Sequence, residues 1–158
     1  MALDGGRKKV PPIEVEKVLE AKGAVDVANT SLWPHLISGV RAGSKEWLRV
    51  AGKALKTSDA GSTHGLVESL GLALHKDPVE VLRAIESKWI KFVCGGPNVD
   101  DPKFDGYELA LAELETRIRI IDNVANKELK EKKLECLSEL TKSRSDLARF
   151  YGVDEKKK

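Results

Sequence analysis

Apolar residues in this chain recur three and four positions apart, and glycine or proline cuts the runs short. That spacing is the period of an α-helix, and the interruptions limit how long each helix can grow. From Ile13 to Lys22 the apolar positions Ile13, Val15, Val18 and Leu19 suit a short helix, which Gly23 ends. A second short helix begins at Leu32, with Pro34 in its first turn, and Gly39 and Gly43 limit it. Ser44 is expected to cap a third, whose stripe is Trp47, Leu48, Val50, Ala51, Ala54 and Leu55. Leu66, Val67, Leu70, Ala73 and Leu74 carry a fourth as far as His75. Asp77-Pro78-Val79-Glu80 is a strong helix start: Asp77 at the N-cap, Pro78 at N1, Glu80 at N3. Val81, Leu82, Ile85, Trp89 and Val93 continue that fifth helix until Gly95-Gly96-Pro97 stops it.

After the irregular loop Asn98 to Gly106 the spacing predicts two longer helices. One runs from about Tyr107 to Val124, with Leu111, Leu114, Ile118 and Ile121 as its core stripe. Glu113–Arg117 and Glu115–Arg119 are i,i+4 pairs in the favourable order, so that face is expected to be solvated. The other runs from Asn126 to Phe150, with Leu129, Lys133 or Leu134, Cys136, Leu137, Leu140, Leu147 and Phe150 on or near one face, and Gly152 ends it. No run of alternating β-branched residues is bounded by turns, so no strand is expected. The expected fold is all-α: six to seven helices in antiparallel succession, as an irregular bundle or a short HEAT-like stack. At 158 residues one domain is expected, over 13–152, between a flexible leader (1–12) and a charged tail (153–158).

Charge narrows the partners. Twenty-seven basic residues face 25 acidic ones, and the signs are interleaved rather than gathered into a stripe. A nucleic-acid binder needs a one-signed surface. The only concentrated basic runs, Arg7-Lys8-Lys9 and Lys156-Lys157-Lys158, lie at the termini. No apolar run approaches the roughly 18 residues of a membrane span. The start, MALDGGRKKVPPIEVEK, has no apolar core of a signal peptide. The expectation is therefore neither a nucleic-acid nor a membrane partner.

One stretch looks chemical. Ser58 to His64 places Asp59, Ser58, Ser62, Thr63 and His64 within seven residues. A Ser-His-Asp site draws its groups from separate parts of a fold. A nucleophile elbow needs G-x-S-x-G after a strand, and here serine is one position off and no strand precedes it. A helix cap explains the same residues at less cost, with Asp59 or Ser62 accepting from free N–H groups. His35, His64 and His75 have no i,i+4 spacing and no neighbouring cysteine, so no metal is expected. Asp100, Asp101 and Asp105 lack the order of a calcium loop and read first as turn formers. With Phe104 and Tyr107 beside them, the same loop would suit a basic partner. No cofactor and no catalytic residue is expected, and the chain reads as a non-enzyme.

The two cysteines, Cys94 and Cys136, stand without a CxxC or a nearby histidine. They can be two separate buried thiols, or a disulfide across about 40 residues that would contribute about 4 kcal/mol and imply an oxidising compartment.

Several stretches together resemble small exported all-helical proteins of Gram-negative bacteria that carry one cysteine pair. They are WLRVAGKAL (Trp47–Leu55), SDAG (Ser58–Gly61), the junction from Leu70 to Pro78, VCGGP (Val93–Pro97) and LECL (Leu134–Leu137). The likeness spans about 44–140. It extends to immunity proteins of type VI secretion, which bind and block a cell-wall amidase toxin. It implies a bridged Cys94–Cys136 pair and a periplasmic protein whose cleaved leader is not part of this sequence. It also implies a non-enzymatic inhibitor that fills a toxin's active cleft. On that reading the contact residues are expected in two turns: Asp59, Ser62 and His64 in one, and Asp100, Asp101, Phe104, Asp105 and Tyr107 in the other. The alternatives are a cytosolic helical adaptor with free thiols, or a hydrolase using His64. Broad apolar faces on several helices would also allow a homodimer.

Overall fold

Each helix start that the sequence marks with a carboxylate before it is used as a start. The structure of the chain, a computed structural model, describes residues 9–98 and 100–153. Most of the expected leader (1–8) and tail (154–158), with Val99, lie outside the described residues. Among those described there are nine α-helices and no strand: α1 (Pro12–Lys22), α2 (Ala24–Ala28), α3 (Leu32–Arg41), α4 (Lys45–Leu55), α5 (Ala60–Ala73), α6 (Pro78–Ala84), α7 (Ser87–Val93), α8 (Tyr107–Asp122) and α9 (Lys130–Phe150). Short 3-10 turns at Pro102–Phe104 and Lys127–Leu129 precede α8 and α9.

The all-helical expectation holds among the described residues, and the count rises from six or seven to nine for two reasons. First, α2 is a single extra turn. Its first free N–H, on Ala24, is taken by Thr57 Oγ1 at 2.9 Å, so a residue 33 positions away caps it. Second, the helix expected from Asp77 to Val93 breaks at Ile85, which is extended (φ −103°, ψ 142°). The carbonyls freed there are satisfied by Lys132 of α9, whose Nζ donates to Leu82 O at 2.9 Å and Ile85 O at 2.6 Å. No local pattern could announce that break. At the α6 start, Asp77 Oδ1 accepts from the Glu80 N–H at 3.1 Å, as expected. Ser44 stands at the α4 N-cap without a side-chain cap bond, and α3 runs on through Gly39 to Arg41.

One continuous core joins these elements. It is built from Leu, Val, Ile and Ala, with Leu36, Leu48, Leu66, Leu70, Leu82, Ile90, Leu114 and Leu140 fully enclosed. Helices α1 to α6 pack around α4 and α5; α8 and α9 form a long hairpin, and α7 lies against both α5 and α9. Phe150, expected at the core face of α9, is instead 76% exposed. The apolar face of α9 is used up one turn earlier, at Leu147 and Ala148, where the hairpin ends.

Cys94, at the end of α7, forms a disulfide with Cys136 of α9, their Cα atoms 5.3 Å apart, within the usual range for a bridge. The bridge therefore fastens the α8–α9 hairpin to the rest of the molecule. Between α1 and α4, buried Glu16 accepts from Arg49 and lies 3.4 Å from Lys53 Nζ. The Arg49 hydrogen bond holds the Glu16 carboxyl below its ordinary value of 4.5, against the pull of burial. A group with a depressed folded pKa lends stability above its unfolded pKa, and loses it as pH falls through the folded one.

Two outcomes follow from this packing. Glu16→Gln is expected to flatten the fall in melting temperature below about pH 4.5, with the difference from the native chain present at neutral pH and vanishing in acid; thermal melts across pH read it directly. At Gly52, an added Cβ would sit 2.1 Å from the carbonyl oxygen of Ala84, where α4 meets α6. Gly52→Ala is therefore expected to cost about 1–3 kcal/mol in urea denaturation, although alanine is the better helix former.

Candidate functional site

Asp59 is the N-cap of α5, and its cap is reciprocal. Asp59 Oδ1 accepts from the Ser62 backbone N–H at 2.9 Å, while Ser62 Oγ accepts from the Asp59 N–H at 2.9 Å. The Ser62 hydroxyl and backbone N–H hold the Asp59 carboxyl below its ordinary range. Ser58 donates to Leu55 O at 2.9 Å and pairs with Thr63. The hydroxyls of the Ser58–His64 stretch are thus spent on starting the helix. Ser62, expected as a contact residue, is buried behind its own cap. His64 points elsewhere: its Nε2 lies 3.5 Å from Glu68 one turn along α5.

His64 and Glu68 stand at the edge of a cleft of about 220 Å³. Val67 and Leu72 of α5, Phe92 of α7, Gly96-Pro97-Asn98 and Phe104 form the rest of its rim and walls. Arg117 of α8, only 2% exposed, closes it from within. The structure therefore brings together two residues expected from separate turns, His64 and Phe104. It does not bring in Asp59, Asp100, Asp101, Asp105 or Tyr107, none of which lines the cleft. Asp101 caps the 3-10 turn by accepting from the Lys103 N–H at 3.0 Å. Asp100 and Asp105 are exposed, and Tyr107 packs edge-on against Tyr151, ring centroids 6.0 Å apart.

Arg117 corrects an expectation. Its pairing with Glu113 is present, Nε donating to Glu113 Oε2 at 2.7 Å, but the pair is enclosed rather than solvated. An i,i+4 pair makes the same local geometry on either face of a helix, so the spacing could not distinguish them. Burial, the larger influence, lowers the Arg117 pKa, and the Glu113 carboxylate opposes that. Glu113 is shared: His75, just past the end of α5, lies 2.8 Å from it through Nε2. Room for the guanidinium comes from Gly71, since a Cβ there would fall 2.8 Å from Arg117 Nη1.

Across Gly96-Pro97 from this cleft is a second, of about 300 Å³, lined by Ala110, Leu114, Ser143, Leu147 and Phe150. Five of the chain's eight aromatic residues gather on this side: Phe92, Phe104, Tyr107, Phe150 and Tyr151. Phe92 is 52% exposed and Phe150 packs edge-on to Tyr151 at 4.9 Å. Sequence reasoning missed both: helical spacing placed Phe150 on the core face of its helix, and Phe92 fell off the stripe Val81, Leu82, Ile85, Trp89 and Val93 and was not singled out. Among the described residues no three His, Cys, Asp or Glu side chains lie close enough to hold a metal ion, and no helix is long and apolar enough to cross a membrane.

No protein-family model, no curated protein and no solved structure matches the chain.

The enclosed pair generates a test. Glu113→Ala strands a buried cation and is expected to cost about 3–5 kcal/mol in urea denaturation, whereas removing both charges, as Glu113→Ala with Arg117→Met, recovers much of that loss. His75→Ala, at a partly solvated contact, is expected to cost at most about 1 kcal/mol.

Proposed function

We propose that this chain is a non-enzymatic binding protein of an oxidising compartment, and that it acts by covering a partner's functional cleft. The observation that carries the reading is the aromatic face around Gly96-Pro97. In a chain with 5% aromatic residues, five lie on one side, two of them largely exposed. Aromatic side chains, Phe included, are enriched at the cores of protein–protein interfaces. Nothing in the folding of the chain requires Phe92 or Phe150 to face water. The Cys94–Cys136 bridge supports the compartment, because disulfides persist where thiols are not kept reduced.

The resemblance of the sequence gives the reading a concrete form: a periplasmic immunity protein that inhibits a type VI secreted cell-wall amidase. Phe104 and His64, expected as contacts, are at the cleft on this face, and Phe92 and Phe150 join them as anchors. Asp100 and Asp105 supply negative charge at its edge.

Amidase effectors encoded in the same genome provide the assay. The purified chain is expected to suppress peptidoglycan hydrolysis by its cognate effector at about equimolar ratio. Phe92→Asp and Phe150→Asp, both at exposed positions, are each expected to weaken that inhibition about ten-fold or more without lowering the melting temperature. A native chain that leaves every such effector fully active would overturn the inhibitor reading.

A further inference from the structure

The geometry points to the Arg117 cleft as a receptor for a carboxylate carried on a residue-sized apolar body. Arg117 has five N–H donors, and among the described residues only Nε has a partner, Glu113. Neither Nη atom is among the fully enclosed polar atoms that lack a partner, although the side chain is 2% exposed. What remains open of the guanidinium therefore faces the cleft that the residue lines. The Nη donors that face the cleft have no protein acceptor, so an incoming acceptor would meet them directly. The matching acceptor is a carboxylate, which can take two parallel N–H groups from the Nη end.

The walls define what carries that group. Val67, Leu72, Phe92, Pro97 and Phe104 are apolar or aromatic, and they leave about 220 Å³. Pockets for drug-sized molecules run from about 300 to 1,000 Å³, so this one suits a single side chain or chain end. Glu68 at the rim does not repel the ligand unopposed, since Arg41 Nη2 stands 3.9 Å from it. Gly71 completes the site: of the glycines on α5, it is the one where an added methyl group would press on Nη1.

This deepens the binding reading, whose face it shares, by naming the group inserted there. Its test uses the chain alone, so it fails or succeeds independently of any inhibited enzyme. N-acetylphenylalanine, its neutral amide, and a peptide ending in a free phenylalanine carboxylate are titrated while backbone amide shifts are followed by NMR. The acid is expected to bind with Kd on the order of 1 mM and to shift Gly71, Gly96 and Asn98, with the amide about ten-fold or more weaker. Phe104→Ala is expected to weaken acid and amide alike, while Gly71→Ala removes the preference for the acid. Tighter binding of the peptide than of the single residue assigns the ligand as a partner's chain end. Exclusion of the peptide with retention of the acid assigns it as a free small acid. Equal affinity for acid and amide, or no shift at these residues with any probe, overturns the proposal; that comparison is made on the unaltered chain and does not depend on a variant folding.

Discussion

The bond between Cys94 and Cys136 is the constraint on which the second half of the molecule depends. Helices α8 and α9 pack mainly on each other, and they reach the remaining helices through α7 and a few side-chain contacts. They include Lys132 on the end of α6, Arg83 with Glu128 at 2.7 Å, and Ser143 donating to Gly95 O at 2.6 Å. An exposed pair such as Arg83 with Glu128 contributes about 1 kcal/mol or less. Closing a sequence separation of 42 residues contributes about 4 kcal/mol in the chain-entropy account. The bridge outweighs any one of them, and it sits directly before Gly95-Gly96-Pro97, the segment that separates the two clefts. The position of that segment relative to α8 follows from the bridge.

The second tie is ionic. Glu113 pairs with Arg117 within α8 and is itself met by His75, just past the end of α5, so the same carboxylate links the two helices. Such an arrangement adds little net stability over a well-packed apolar one. A core of leucine and valine could have filled the place. A cation stands there instead, over Gly71 and beside an open cleft.

How much of this could be read beforehand differs by element. The starts at Asp59 and Asp77 were legible because a cap is local: donor and acceptor lie within one turn of the chain. The stops at Gly23 and Gly152 were legible for the same reason. The break at Ile85 and the extra turn α2 were not, since the groups that satisfy them, Lys132 and Thr57, come from far along the sequence. Arg117 was hidden by its own pairing, which looks identical on a wet face and a buried one. His64 and Phe104 could be picked out as chemically able residues, but their meeting across one cleft depends on how α5 and the loop before α8 pack. Phe150 shows the opposite failure: periodicity extended the core one turn beyond where the hairpin gives it anything to pack against.

The placement of the sulfurs has one more effect. Cys94 lies before the loop Asn98–Gly106 and Cys136 lies after it, so the loop, α8 and the start of α9 form a covalently closed ring. A protease that cut the exposed aspartates of that loop would open the ring without separating its parts. The two pieces would remain one particle, still holding Arg117 against α5. The chain can thus lose a peptide bond in that exposed loop and keep both pieces covalently joined.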